Sequence, residues 1–535
     1  MLARARAWLA DDPDPATRAE LSALLDARDA DAIAGRFASA LTFGTAGIRG
    51  PLGVGPARMN RVVVMRTSAG LASYLSAHGA RTVVIGRDAR HGSRRFARDA
   101  ATVLRGAGLD VRALPRPLPT PVLAFAVRHL GADAGVTITA SHNPPGDNGY
   151  KVYIGDGAQI APPVDIQIAE RIETVDRVSD LPCRDDWTTL GEEVVDAYLA
   201  RAAALVPPGP RDLRIVYTPL HGVGREIVTA ALARAGFPGP YVVPAQAEPD
   251  PDFPTVPFPN PEEPGAMDLA LRAAAERDAD IVLANDPDAD RCAVGVPTAA
   301  GWRMLRGDEV GALLGAHLLR TDPSPRGTYA TTIVSSSLLG SMARGAEVPY
   351  AETLTGFKWL ARVPGLRYAY EEALGYCVDP DAVADKDGVT ALLRVAELTA
   401  AAKAEGRTPL DLLDDIHREY GVHLTDQLAL RLGDAAIDRL RAHPPPAVGG
   451  RAVAGVDDLA AGVAGLPPTD GVRLWLADGV RVVVRPSGTE PKLKCYLEVT
   501  RPPGATQVPA VRAAARCDLE AVRADLATLL QPDLQ

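Results

Sequence analysis

The amino-acid sequence predicts an α/β protein: three related α/β domains followed by a smaller α+β domain. A strand–turn–helix–strand unit occurs three times, at 81–114, 211–243 and 326–353. Each copy is followed by another apolar strand that ends in a loop dense in polar side chains. The segment 436–535 lacks the unit. A β–turn–α–β unit builds parallel sheet through a right-handed crossover, and 535 residues exceed what one hydrophobic core organises.

Residues 1–40 read as a charged helical extension ahead of the first domain, 41–205. The unit of that domain, RTVVIGRDARHGSRRFARDAATVLRGAGLDVRAL, sets an apolar strand before a Gly-containing turn and an Ala-rich helix that stops near glycine. The second domain, 206–305, opens at the joint VPPGPR and carries RDLRIVYTPLHGVGREIVTAALARAGFPGPYVV. The third, 306–435, follows GWRMLRGDE and holds the most degraded copy, RGTYATTIVSSSLLGSMARGAEVPYAET. The fourth, 436–535, starts around HPPPAVGG. There VRLWLADGVRVVVRPSGTEPKLKCYLEV reads as two strands around a tight turn with a third beyond, and 507–530 reads as a helix. The strands VTITASHNP (136–144), IVLANDPDADR (281–291) and YAYEEALGY (368–376) end in the kind of loop where α/β sheets bind ligands.

Composition narrows the function classes. The chain is 47% hydrophobic with a net charge of −10 and no basic stripe, which argues against a nucleic-acid partner. No apolar run is long enough to span a membrane, and MLARARAWLADDPDP turns acidic too soon for a signal peptide. Five scattered cysteines without a CxxC pair argue against a disulfide frame and for a reducing, cytoplasmic setting. Only six of the 57 Lys and Arg residues are lysine. Five of those six, Lys151, Lys358, Lys386, Lys492 and Lys494, sit in or beside Gly-rich loops. Lysine can shed its proton in a protein where arginine cannot, so these positions are candidates for proton transfer or compact phosphate contact.

The stretch GVTITASHNPPGDNGYKVY (135–153) carries the first chemistry. A short buried strand through Val136 and Ile138 ends in a turn with Ser141, His142 and Asn143, closed by Pro144 and Pro145. Pro144 biases Asn143 away from helix and stiffens the turn, which predicts an exposed serine hydroxyl on a rigid support. Lys151 returns a positive charge ten residues later. A serine beside His and Lys has what a covalent phosphoryl carrier needs: a nucleophile, a proton acceptor and a counter-charge.

In Asn285-Asp286-Pro287-Asp288-Ala289-Asp290-Arg291, alternate residues of an extended loop would bring Asp286, Asp288 and Asp290 to one side. Three hard oxygen donors suit Mg²⁺, with open positions for phosphate oxygens. A calcium EF-hand loop is excluded, because Arg291 stands where glycine is needed and Pro297 where the bidentate glutamate belongs. A phosphatase with an aspartate nucleophile is a second rival, weakened by the nucleophile already offered at Ser141. In Arg485-Pro486-Ser487-Gly488-Thr489-Glu490-Pro491-Lys492, backbone N–H groups and two hydroxyls can cradle an anion while Arg485 adds a guanidinium fork. No Walker A spacing is present. Glu371, in Glu371-Glu372-Ala373-Leu374-Gly375-Tyr376, can accept hydrogen bonds from sugar hydroxyls, and Lys386 between Asp385 and Asp387 can move a proton. Arg49, in the Gly-rich FGTAGIRG, is placed for an anion.

Taken in order, FGTAGIRG, TASHNP, NDPDADR, EEALGY and RPSGTEPK resemble the α-D-phosphohexomutase superfamily over nearly the whole chain. The resemblance implies three related α/β domains with mixed sheets and a fourth α+β domain around a central cleft. It implies that Ser141 is the phosphoserine and that Asp286, Asp288, Asp290 and a phosphoserine oxygen hold Mg²⁺. It places Glu371 against the sugar, and Arg485, Ser487, Gly488, Thr489 and Lys492 against the phosphate that is not reacting. Arg49, His142, Lys151, Arg291 and Lys386 line the reacting centre, and Lys151 and Lys386 match positions linked to proton transfer in relatives. The implied reaction passes a phosphoryl group from Ser141 to a sugar monophosphate. The bisphosphosugar formed, such as glucose 1,6-bisphosphate, also serves as activator, and it turns round and returns its other phosphate. The fourth domain is then the candidate for a moving lid.

The sugar loop departs from many relatives: Ala373 stands in place of serine, and Tyr376 rather than histidine follows Gly375. FGTAGIRG, GFKWL and EEALGY are most similar to the phosphoglucomutase-2-like branch. A hexose mutase acting on glucose or mannose phosphate is therefore the expectation, with phosphopentomutase and glucose 1,6-bisphosphate synthase as alternatives. A non-catalytic sugar-phosphate sensor would lack the nucleophile or the aspartates, and both are present here.

Overall fold

The computed structural model describes residues 1–531 apart from 46, 323–325, 432–434, 464, 487–491 and 505–506. The chain divides into two compact units, one formed by Met1–Leu305 with Gly375–Ala401 and the other by Arg306–Leu374 with Ala402–Gln535.

The first unit begins with three helices, Leu2–Asp11, Pro15–Asp26 and Ala30–Phe37. Asp14 caps the second, where Pro15 occupies the first turn without losing a needed donor. The helices are tied to the first domain by Arg61, which donates to Pro13 O at 3.0 Å and grips Asp99 through two nitrogens at 2.7 and 2.8 Å.

The repeated units form as the pattern requires. Strand Thr82–Arg87, helix Ser93–Gly106 and strand Asp110–Ala113 make one right-handed parallel unit. Ile215–Thr218, Gly224–Arg234 and Tyr241–Val242 make the next. In each sheet the strand leading to the polar loop joins the parallel set: Ala134–Ile138 beside Thr82–Arg87, and Ile281–Ala284 beside Ile215–Thr218. Each then gains antiparallel strands, so both sheets are mixed. Asp147–Ile154 and Ile48–Pro51 extend the first, and Ala293–Thr298 and Gly301–Met304 extend the second. The first core joins Val83, Ile85, Val136, Ile138 and Val152 to helix residues such as Leu71, Phe96 and Leu104.

In the second unit, Thr328–Thr332 lies parallel between Tyr350–Thr353 and Leu366–Glu371, with helix Leu338–Gly345 as the crossover. The C-terminal sheet is wholly antiparallel, in the order Val422–Leu430, Leu493–Arg501, Val480–Pro486, Val472–Leu476, Arg451–Asp458 and Ala447–Val448. Helix Val508–Leu530 covers it through Ala515, Leu519, Val522 and Leu526. The strand Val422–Leu430 precedes both the expected boundary at 436 and the Pro-rich joint at 443–450, yet it pairs along its length with Leu493–Arg501. A joint in sequence marks a bend in the chain, whereas sheet membership is set by backbone pairing with a distant strand. Among the described residues, no helix is long and apolar enough to cross a membrane.

Candidate functional site

The first unit gathers Ser141, His142, Lys151, Arg49, Arg291, Lys386 and the three aspartates. Strand Ala134–Ile138 delivers the Ser141 turn, and strand Ile281–Ala284 delivers the aspartate loop. Ser141 Oγ donates to Asp286 Oδ2 at 2.9 Å and lies 3.1 Å from His142 Nδ1. The expected exposed hydroxyl is instead buried, with Ser141 only 2% exposed. Its backbone N–H is held by Thr139 Oγ1 at 2.9 Å, and the aspartate loop of the second domain closes over its hydroxyl.

The aspartates converge as expected, with one carboxylate oxygen from each lying within 4.8 Å of the others. The geometry that brings them together differs from the expectation. The loop is a tight turn rather than an extended segment: Ala289 N donates to Asp286 O at 2.9 Å, and Ala289 takes a left-handed φ of 53°. Close packing fixes the turn, since a Cβ on Gly222 would approach Pro287 Cα to 2.4 Å and one on Gly388 would approach Arg291 O to 2.2 Å.

Each aspartate has a different hydrogen-bonding balance. Asp288 Oδ2 accepts from Lys151 Nζ and Thr120 Oγ1, both at 2.8 Å. Asp290 Oδ2 lies 3.2 Å from Lys151 Nζ and 3.5 Å from Lys386 Nζ. Asp288 Oδ1 and Asp290 Oδ1 are buried and accept no hydrogen bond. Interior carboxylate oxygens are normally satisfied, so this pair of bare oxygens beside a third carboxylate is a cradle for a hard cation. Burial and the neighbouring charges of Asp288 and Asp290 push the Asp286 carboxyl well above its ordinary range. Burial opposes ionisation of Asp290 too, but Lys151, Lys386 and Arg291 outweigh it and hold that carboxyl low.

The surrounding cations are equally constrained. Burial pulls the Lys151 ammonium down, but Asp288 and Asp290 outweigh it and raise it above its ordinary value. Burial, then Arg291 and Arg49, drive His142 well below its ordinary value and hold it neutral. Arg291 Nε stands 3.8 Å from both Asp286 and Asp290. Arg49 Nη1 donates to Asn143 Oδ1 at 2.9 Å. Lys386 is brought in by its neighbour Asp385, whose Oδ2 accepts from Tyr153 OH at 2.9 Å and Gln159 Nε2 at 2.7 Å. Asp387 serves its own turn, accepting from Tyr198 OH at 2.9 Å.

The remaining candidates lie in the second unit. Glu371 ends strand Leu366–Glu371, Arg485 lies near the end of Val480–Pro486, and Lys492 precedes Leu493–Arg501. Arg485 reaches the Tyr496 hydroxyl, and burial followed by the negative charge of Glu372 pushes that phenol up. Glu372 of the sugar loop and Arg485 therefore both act on Tyr496. Glu372 is the glutamate fixed from behind, by Ser335 Oγ at 3.1 Å and Thr332 Oγ1 at 3.2 Å. Ser487, Gly488 and Thr489 lie outside the described residues.

Sequence reasoning missed Thr120, whose signal was weak: a threonine in PLPTP opening a helix. It also missed Arg90, in the turn GRDARHGS of the first unit.

Comparison with known proteins agrees with this architecture. The chain matches the models for the phosphoglucomutase/phosphomannomutase alpha/beta/alpha domains I, II and III at residues 40–179, 196–300 and 306–420, and for the C-terminal domain at 440–515. It is 45% identical to a Haemophilus influenzae protein named "Probable phosphomannomutase", covering 82% of this chain and 93% of that one. It is 35% identical to the Mus musculus phosphopentomutase, covering 93% and 90%. A crystal structure of a phosphoglucomutase/phosphomannomutase family protein from Burkholderia thailandensis shares the fold, with a TM-score of 0.71 at 23% identity over 92% of this chain and 97% of that one. With all four domain models matched in order along its length, the chain belongs to the phosphoglucomutase/phosphomannomutase family of enzymes.

Proposed function

We propose that this phosphosugar mutase moves a phosphoryl group between the 1- and 6-positions of a hexose phosphate, glucose or mannose, with Ser141 as the carrier. The observation that carries the reading is Ser141 Oγ, 2.9 Å from Asp286 and next to two carboxylate oxygens without hydrogen bonds. Asp286, Asp288, Asp290 and Ser141 would hold Mg²⁺, which when bound supplies positive charge against the phosphoryl oxygens.

The chain's own residues do the rest. Phosphorylated Ser141 presents its phosphorus to a sugar hydroxyl; the new O–P bond forms as the bond to Ser141 Oγ breaks, and the hydroxyl proton passes to a nearby base. Ser141 Oγ leaves as an alkoxide and takes up the proton so released; in the return step neutral His142, 3.1 Å from Ser141 Oγ, accepts the proton that the attacking serine hydroxyl gives up. Lys151, Lys386, Arg291 and Arg49 supply positive charge around the transfer. Burial of Ser141 excludes the water that would hydrolyse its phosphoryl group. Glu371 reads the sugar hydroxyls, and Arg485 with Ser487, Gly488, Thr489 and Lys492 holds the idle phosphate. The bisphosphosugar then reverses and returns its other phosphoryl group to Ser141. Added glucose 1,6-bisphosphate serves as activator by loading that serine.

Phosphopentomutase is the second reading, favoured by the 35% identity to the mouse enzyme across most of the chain. One assay separates the two: turnover of glucose 1-, mannose 1-, ribose 1- and deoxyribose 1-phosphate, each with glucose 1,6-bisphosphate and with or without EDTA. The hexose reading expects the highest kcat/KM on glucose or mannose 1-phosphate and its loss on chelation. A tenfold preference for a pentose phosphate overturns it in favour of the second reading, and activity indifferent to EDTA removes the metal role.

A further inference from the structure

Ser141 has φ 54°, in the left-handed region that a residue with a Cβ occupies only at a steric cost. Such a conformation persists only where its surroundings over-determine it. Arg90 is the side chain in position to do so. It is 4% exposed and comes from the turn after strand Thr82–Arg87. Its Nη2 donates to the carbonyl oxygens of Ser141, at 2.8 Å, and of Asn143. Its Nη1 donates to those of Pro144 at 2.8 Å and Asp147 at 3.3 Å. Four carbonyls of one loop thus converge on one planar cation. A trans peptide points its C=O and N–H in opposite directions, so drawing the Ser141 carbonyl toward Arg90 sends the His142 N–H the other way.

Arg90 is itself fixed from two sides. Asp88 Oδ2 lies 3.6 Å from its Nε, and Asp88 Oδ1 accepts from the Arg90 backbone N–H at 2.9 Å. On the other side its guanidinium stacks over the Phe253 ring, 4.8 Å from the centroid. Phe253 belongs to the second domain, and its neighbour Asp252 pairs with His91 at 2.7 Å. The second domain therefore supplies the aspartate that receives the Ser141 hydroxyl and also the ring that backs the arginine behind it.

We infer that Arg90 is a positioning residue for phosphoryl transfer: it holds Ser141 in the left-handed conformation that presents Oγ to Asp286, and Phe253 holds Arg90. The inference rests on Ser141 being the phosphoryl carrier. Lysine cannot substitute, because a single ammonium lacks the planar fork that spans several carbonyls.

The test uses Arg90→Lys and Arg90→Ala in the full chain, beside Ser141→Ala. Steady-state rates are measured on whichever of the four sugar 1-phosphates is turned over fastest, and Ser141 loading is followed in a single turnover with labelled glucose 1,6-bisphosphate. For Arg90→Lys, kcat and the loading rate fall on the order of 100-fold while KM holds. Added guanidinium ion restores part of the Arg90→Ala rate. Wild-type kcat in Arg90→Lys, or a loss confined to KM, overturns the inference; if Arg90→Ala does not fold, Arg90→Lys decides alone. An active Ser141→Ala would instead sink the assignment of the carrier. A dead Ser141→Ala beside a normal Arg90→Lys sinks only the role given to Arg90.

Discussion

Each compact unit buries a cluster of charge, and the two clusters differ in what they leave unsatisfied. In the second unit Glu498, 3% exposed, is saturated. Its Oε1 accepts from Ser337 N at 2.7 Å, Ser336 Oγ at 2.9 Å and Ser337 Oγ at 3.0 Å, and its Oε2 meets Arg481 Nη2 at 2.8 Å. Arg481 also donates to Ile333 O at 3.2 Å, joining the C-terminal sheet to the end of the Thr328–Thr332 strand. In the first unit Asp288 and Asp290 are at least as deeply buried, yet one oxygen of each is bare. A complete buried network specifies structure, whereas an incomplete one is destabilising unless a ligand finishes it. Burial of charge alone does not mark a functional site; bare oxygens gathered beside a third carboxylate do.

The sharpest way to break the comparison is at the carrier. Ser141→Ala is expected to lower turnover by at least about 1,000-fold with an unchanged melting temperature; normal turnover would refute the assignment. Next comes the pair Asp286→Asn and Glu498→Gln. Glu498→Gln leaves the buried Arg481 with only the longer contact to Glu352, at 3.5 Å, as counter-charge, and is expected to cost about 3 kcal/mol, read by denaturant unfolding. Asp286→Asn removes a carboxyl already pushed toward its neutral form, so in EDTA its stability should hold or rise, while Mn²⁺ binding followed by EPR should be lost. If the two variants behaved alike, the distinction between the clusters would fail.

A smaller effect is expected with pH. Glu498 is held at about 2 against an ordinary 4.5: burial works against ionisation, and Arg481 with the hydrogen bonds outweighs it. A depressed acid adds stability above its unfolded value, so this contribution is full above about pH 4.5 and fades toward pH 2. Glu372 has the opposite sign. Burial, then Glu371 and Asp308, raise it from 4.5 to about 7, so its ionisation costs stability as pH rises through that window. Urea unfolding of Glu498→Gln and Glu372→Gln across pH 2–8 should remove each slope separately. The smallest contrast compares two cations: Lys386→Arg should lower kcat more than Arg485→Lys if proton transfer limits the rate, and the reverse order would deny Lys386 that role.

Much of this was legible beforehand. Hydrophobic period and glycine placement located the repeated units, and Asp286, Asp288 and Asp290 announced a cation cradle by residue type and spacing. The turn that gathers them, with its left-handed Ala289, was not legible, because it depends on Gly222 packing on Pro287 and Gly388 on Arg291 rather than on local propensity. Nor was the sheltering of Ser141, which follows from a loop 145 residues away closing over its hydroxyl. Lys386 lies in the stretch matched to the third domain, and it stands 3.5 Å from Asp290 of the second because Asp385 is captured by Tyr153 and Gln159.

The sequence by itself determined the elements and the chemical inventory, since helix and strand periods, turn residues and donor types are local properties. Tertiary structure alone decided which carboxylate oxygens are occupied and which stay bare. Arg90 meets Ser141 across 51 residues within one domain, and Thr120 meets Asp288 across 168 between two; such pairings arise only when distant segments pack. A hydrogen-bond partner is a fact of position in space, which no spacing along the chain encodes.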